Sequence, residues 1–312
     1  MVNLSDERTE GHALRGERTH VVRSVPPTGS KPRRLRVLRK FLGQRGAVFS
    51  LVVLVVLVLF AGLGPLIWPI SYETITPDVL VAPSAAHPFG TDTLGHDMFA
   101  LVMRGAQRSL AVAGIVAVLS TAIGTLIGMI AGYAGGRLDQ LLMRAVDLVL
   151  MMPLIAILGL VAVRVGGQPD GWILVSVAIS LLYWTPTARL IRADVLALRS
   201  SEFVASAQLI GASTPRILFR HLLPHLVGPI AVVATTYVAS AVALESTLSF
   251  LGLGVQPPDT SLGLLIGAGL GYASTAWWLF YIPGFVVIAI VLCVHFVGDG
   301  IQNAFNRSSK AA

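Results

Sequence analysis

Charge is what this chain has least of: 12% of its 312 residues are charged, against 54% hydrophobic and a mean hydropathy of +0.77. Soluble domains carry roughly 25% charged residues, so a water-soluble globular fold is excluded and the chain reads as a membrane protein. The single cysteine, Cys293, excludes an intramolecular disulfide framework and a cysteine-built metal site. Lysine is nearly absent. Lys31, Lys40 and Lys310 all lie outside any G-x-x-x-x-G-K-[ST] pattern, which leaves no loop for cradling a nucleotide's phosphates. No G-x-S-x-G nucleophile elbow occurs either. His221 and His225 have the spacing of helical zinc ligands but lack the intervening glutamate and a third ligand, so they read as interfacial residues. The expectation is a protein that is not an enzyme and holds no cofactor or metal of its own.

What the sequence does have is long apolar runs, approximately 47–68, 109–133, 141–165, 172–190, 226–248 and 277–297. About 20 residues of helix cross the hydrocarbon of a bilayer, and unsatisfied backbone groups are too costly to leave in lipid, so each run predicts a spanning helix. The fold class is all-α and polytopic, with six transmembrane helices. Three segments follow: a basic tail over 1–46, a transmembrane domain over 47–305 with a polar loop at 191–225, and a short tail over 306–312.

Orientation comes from where the cations fall. Eleven of the 23 lysines and arginines lie in the first 46 residues, and Arg137, Arg144, Arg192, Arg199, Arg216, Arg220, Arg307 and Lys310 share that side. The opposite segments, 69–108, 166–171 and 249–276, hold only Arg104 and Arg108. Both termini are therefore expected in the cytoplasm, and the net charge of +7 reports topology rather than affinity for nucleic acid. The first thirty residues read as disordered. Beyond them Leu35, Leu38, Phe41 and Leu42 recur at helical spacing among arginines, which predicts an interfacial helix over 33–45 in contact with membrane lipid. The charged stretch is too long, and the apolar run after it too extended, for a cleaved signal peptide.

Ionisable residues inside the runs are few: Asp147, Arg164, Arg189 and Glu245. Asp147 is expected to pair with a nearby arginine such as Arg144. Glu245 either lines a polar path or pairs near the outer surface. The glycines of 124–136 read as helix-packing and helix-ending residues.

The loop R-S-S-E-F-V-A-S-A-Q-L-I-G-A-S-T-P-R-I-L-F-R-H-L-L-P-H, from Arg199 to His225, reads as helix, tight turn, helix. Ser201 has N-cap chemistry with Glu202 in the first turn, Phe203, Ala207 and Ile210 share a face, and Gly211 can end the helix left-handed. Thr214 caps the second helix, Pro215 occupies its first position, and Pro224 disrupts the turn beyond Leu223. Small Ala205, Ser206 and Ala207 beside bulky Phe203 and Ile210 suit a groove on another protein.

This loop resembles the EAA loop of permease subunits in ATP-binding-cassette importers. Ser206 and Ala207 stand at its alanines, Gly211 at its glycine, and Leu223 and Pro224 at its closing pair, while Ala205 replaces its glutamate and His221 its isoleucine. The run H-P-F-G-T-D-T-L-G-H-D, containing Gly90, Thr91, Asp92, Gly95 and Asp97, is similar to the segment after the first span in the peptide-transporting (DppC and OppC) branch. So are E-S-T-L-S-F-L-G-L-G-V-Q-P-P, ending at Pro257 and Pro258, and G-D-G-I-Q-N-A-F near the end. Read physically, the first run has turn and capping chemistry for an ordered re-entry, and the second with its following glycines forms either a gate over the external mouth or a simple fold of the outer loop.

The resemblance implies the type I importer permease fold in the inner membrane of a prokaryote. It also implies a second homologous permease subunit, two cytoplasmic ATPases that bind ATP and Mg, and an extracytoplasmic peptide-binding protein. The implied cargo is dipeptides or short oligopeptides. The rival from another class is an ATPase-independent secondary transporter or channel, which expects a titratable network at midplane that the sequence scarcely supplies. A lipid-anchored scaffold would leave the motif series unexplained.

Overall fold

A computed structural model of the chain describes residues 33–309 apart from 166, 167, 169 and 258, with 33–37, 165 and 306–309 described by backbone alone. The expected disorder of the first thirty residues, the last three residues of the C-terminal tail, and Pro258 lie outside the described residues.

The fold is all-helical, as expected. Five helices are long and apolar enough to cross a membrane unbroken: α2 (Arg45–Ile67), α3 (Met98–Ala134), α6 (Gly171–Leu198), the rod Thr214–Phe250 and α11 (Trp278–Ser309). A bent pair, α4 (Gly136–Leu150) and α5 (Leu154–Val165), makes the sixth passage. The expectation of one straight helix over 141–165 is corrected here, because the pair is bent by 75°. Pro153 stands at the break; its ring disfavours helical geometry at Met152 and it has no N–H to continue the ladder. The second span also begins earlier than expected, at Met98, which moves Arg104 and Arg108 into its first three turns.

α3 is the central element, packed most extensively against α6 and then against α9 (Leu223–Phe250), the main helix of the rod. Its stripe Gly124, Gly128, Gly132 explains the closeness. A Cβ on Gly128 would stand 2.6 Å from the Ala188 carbonyl oxygen, and one on Gly132 would stand 2.8 Å from the Arg192 oxygen. With hydrogen in place of a side chain every four residues, the two backbones pack directly, which in lipid supplies dispersion contacts the hydrophobic effect cannot. Arg192 of α6 then ion-pairs with Asp139 of α4 through both carboxylate oxygens. Asp147 pairs with Arg189 at 2.5 Å rather than with Arg144, since α4 lays this carboxylate against the neighbouring helix.

α11 closes the bundle with glycines used in two directions. Gly298 faces Thr235 of α9, whereas Gly300 faces Phe41 and Ala47. Helix α1 (Arg33–Leu42) is thereby fastened to α11, with Phe41 buried and Gln44 donating to the Gly300 carbonyl at 3.1 Å. Leu38 and Leu42 of α1 remain 54% and 58% exposed, and Phe49, Val52 and Val56 of α2 are exposed as well. Such a continuous apolar exposure suits lipid contact.

Candidate functional site

At one end of the bundle, α6 leads into the short helix α7 (Glu202–Leu209). Ser201 is its N-cap by backbone position, but the hydroxyl donates to the Leu198 carbonyl at 2.5 Å instead of capping α7. The other terminus is fully resolved in hydrogen bonds. Gly211 has φ +75°, its N–H donates to the Gln208 carbonyl at 2.9 Å, and the Ala212 N–H donates to the Ala207 carbonyl at 3.0 Å. These two bonds form a Schellman motif, which requires a left-handed residue where Gly211 stands.

α7 has one buried face and one open face. Val204 and Ala207 are 0% and 3% exposed, packed into a cluster with Met129 of α3, Ile191 and Val195 of α6, and Ile217, Leu218, Leu222 and Leu226 beyond the turn. Phe203 stacks on His225, ring centroids 4.6 Å apart, and Gln208 donates to the Tyr133 hydroxyl at 3.2 Å. The open face carries Glu202, Ala205 and Ser206 and ends in Leu209 and Ile210, which are 89% and 83% exposed. Two expectations change. Ile210 does not share a face with Ala207, because it is the C-cap residue and departs from the helical register. Ala207 cannot enter a partner's groove, because it already packs inward. Leu209, unremarked in the sequence, is the most exposed large apolar side chain of the unit.

Beyond the turn, α8 (Thr214–Arg216) begins one residue earlier than expected, with Ser213 as N-cap and Thr214 as its first residue. The predicted disruption at Pro224 does not occur. Six residues, Ile217–Leu222, wind as a π turn, in which the Leu223 N–H bonds to the Leu218 carbonyl five residues back. The wider turn accommodates the proline, and the chain continues directly into α9 (Leu223–Phe250). The unit is therefore joined without a hinge loop to the membrane rod. Leu223 also lines a cleft of about 780 Å³ between α3 and α9, with Thr121, Thr125 and Thr235 among its apolar walls.

At the opposite end, residues 68–97 fold into a cap over the start of α3. Asp97 is wholly buried at the N-cap; it accepts from the Phe99 N–H at 3.4 Å and from Trp68 Nε1 at 2.5 Å, and His87 Nδ1 lies 3.4 Å away. Asp92 accepts from the backbone N–H groups of Leu94 and His96, both at 2.8 Å, and the Thr91 hydroxyl accepts from Val81 N at 2.8 Å. Gly90 and Gly95 have positive φ, and a Cβ at Gly90 would stand 2.8 Å from the Trp278 indole nitrogen. An Asp97→Ala variant is expected to lose about 2–4 kcal/mol, from the cap bond and the stranded Trp68 donor, read as a lowered Tm of the purified complex. An unchanged Tm would contradict this account of the cap.

Glu245 sits inside the bundle, 1% exposed, rather than on an open path. Its two oxygens accept from Ser109 of α3 and Ser249 of α9, each at 2.7 Å, and Ser249 Oγ in turn accepts from Val255 N at 3.1 Å. A buried carboxylate held this way ties α3 to the connection after α9. That connection, with Pro257 in its turn, leads to α10 (Leu262–Gly269), a short helix packed among α9, α11 and α3. Asp259 in the same connection ion-pairs with both Arg104 and Arg108, a cluster the sequence reading missed. Tyr72 lies against Arg104, and its phenol is pushed up from the ordinary value by burial first and then by its hydrogen bond with Glu73.

Residues 124–310 match the family described as binding-protein-dependent transport system inner membrane component. Residues 34–84 match the N-terminal transmembrane domain of oligopeptide transport permease C. The chain is 36% identical over 280 residues to the oligopeptide transport system permease protein OppC of Mycobacterium tuberculosis, covering 89% of this chain and 96% of that protein. It is 42% identical over 282 residues to a candidate peptide permease protein of Brucella suis biovar 1, covering 88% and 91% respectively. With the family spanning most of a bundle that crosses the membrane repeatedly, the chain belongs to the binding-protein-dependent transport permeases as an OppC-like subunit, non-catalytic, with ATP hydrolysis residing in partner subunits.

Proposed function

We propose that this chain forms half of the path of a peptide importer, taking dipeptides or short oligopeptides across the inner membrane of a prokaryote with both termini in the cytoplasm. The other half is a second, homologous permease, and the apolar cleft between α3 and α9 is the surface it covers. An extracytoplasmic binding protein delivers peptide to the capped end, and two ATPases, which hold ATP and Mg, dock at the α7 end. The names of the relatives support the cargo, and the lysine and arginine count supports the orientation.

The observation that carries the coupling role is the rigid seat of α7. Its inward face is cemented to three membrane helices while Leu209 and Ile210 stand outward on a fixed turn. Closure of the ATPase pair around ATP pushes this lever, and the π turn transmits the push into α9. Nucleotide shifts the equilibrium between path conformations because the loaded ATPases grip the two positions of α7 differently.

The test is purification in mild detergent with mass spectrometry of the bound chains. Wild type is expected to retain a second permease and two ATPase polypeptides. Leu209→Asp with Ile210→Asp is expected to lose the ATPases and keep the second permease. Retention of ATPases by that variant would overturn the docking assignment.

A further inference from the structure

At the end opposite α7, the end of α2, the stretch that follows it and the first turns of α3 line a cavity of about 350 Å³, and the connection after α9 reaches it only through the Asp259–Arg104 pair. Trp68, Ser71, Tyr72, Arg104 and Gln107 are in its wall. Arg104 Nε donates to Asp259 Oδ1 at 2.9 Å and Nη2 to Oδ2 at 3.4 Å; Nη1 donates to Gln107 Oε1 at 3.4 Å, and the guanidinium lies 4.9 Å from the Tyr72 ring centre. Arg108, one turn later on α3, pairs with the same carboxylate and lies 4.5 Å from the Trp172 ring centre. Two guanidinium groups thus share one carboxylate, which leaves a positive charge over at the wall of a polar cavity. Of the other acids nearby, Asp97 is buried and held by Trp68 Nε1 with His87 beside it, and Glu73, hydrogen-bonded to Tyr72, is exposed.

We propose that this cavity receives the C-terminal carboxylate of the transported peptide, which takes Arg104 from Asp259 while Asp259 stays paired with Arg108. The inference rests on the peptide-importer reading. Its chemistry is an exchange of one carboxylate for another on a planar fork that binds either in a bidentate fashion. The exchange has a mechanical consequence because of where Asp259 sits. The connection after α9 is fastened to α3 at two points, the Arg104–Asp259–Arg108 cluster and the chain Ser109, Glu245, Ser249, Val255. An anionic substrate weakens the first fastening, which then rests on Arg108 alone, and leaves the second, so the outer connection is held less tightly in the presence of cargo.

The experiment uses the full complex in proteoliposomes with saturating binding protein, comparing a peptide with its C-terminal amide after the binding protein's affinity for each has been measured separately. Wild type is expected to favour the free acid beyond what those affinities explain. Arg104→Gln is expected to shrink that preference by about tenfold, and Asp259→Asn, which removes the competing carboxylate, to lower the KM for the free acid about tenfold with little effect on the amide. Equal losses for both peptides in Arg104→Gln, or an unchanged KM ratio in Asp259→Asn, would make the cluster a structural fastening and overturn the proposal. Where Arg104→Gln fails to assemble, the Asp259→Asn ratio decides alone. Failure of wild type to carry either peptide would instead sink the importer reading, and this proposal with it.

Discussion

A Gly211→Val permease is expected to assemble normally and to lose peptide uptake by at least about tenfold. The residue's φ of +75° is demanded by the two Schellman bonds that end α7. A β-branched side chain there costs about 1–3 kcal/mol, so the turn relaxes to a conformation in which those bonds break. Among the described residues, apart from its immediate chain neighbours, nothing lies within 4 Å of where the Cβ would be, so the damage is conformational and not a clash with the bundle. What moves is the outward pair Leu209 and Ile210, while Val204 and Ala207 keep α7 seated. ATP hydrolysis is therefore expected to lose its dependence on peptide-loaded binding protein. Gly211→Asn supplies the control: asparagine enters the left-handed region readily and is expected to keep most uptake. Equal loss in both variants would mean that size or polarity at the turn, and not its handedness, is what matters.

The second large effect is expected at Gly128. A Gly128→Leu variant places a Cβ 2.6 Å from the Ala188 carbonyl oxygen, 2.9 Å from Ile191 Cβ and 3.1 Å from the Arg192 backbone nitrogen. Two of these three are backbone atoms and cannot swing away, so α3 and α6 must separate. Overpacking in a tight core costs about 1–3 kcal/mol even where neighbours can adjust, and here the separation also loosens the seat of α7 on Met129, Ile191 and Val195. The permease is expected to unfold at a clearly lower temperature in detergent, or to be degraded in cells. Gly62→Leu on the exposed flank of α2 has nothing within 4 Å and is expected to leave Tm unchanged. Matching Tm values for Gly128→Leu and wild type would refute direct backbone packing of α3 on α6.

What could be read from the sequence was governed by range. Apolar runs, basic flanks and the turn chemistry of Gly211 and Asp97 are local signals, and the helices, the left-handed C-terminus of α7 and the N-cap of α3 follow from them. The bend in the third span was visible too, in Pro153, but hydropathy averaged across it. At Pro224 the same rule misleads in the other direction, since a π turn absorbs the proline that an α-helix would not tolerate. Ile210 was placed on one face with Phe203 and Ala207 because periodicity was extended one residue past the point where the helix stops. The pairs Arg104–Asp259 and Ser109–Glu245 were out of reach, because they join positions 155 and 136 residues apart. Nothing local to Asp259 distinguishes it from an ordinary turn aspartate.

On the function proposed above, this chain carries peptide only as the membrane half of an ATP-driven assembly. The most direct test is accumulation of a labelled short peptide in proteoliposomes, with this chain, its companion permease, the ATPases and the binding protein each omitted in turn. The account predicts accumulation that requires ATP and fails on every omission. Uptake by this chain alone, without ATP and driven by an ion gradient or by the peptide's own gradient, would contradict it and make the protein a secondary transporter or channel.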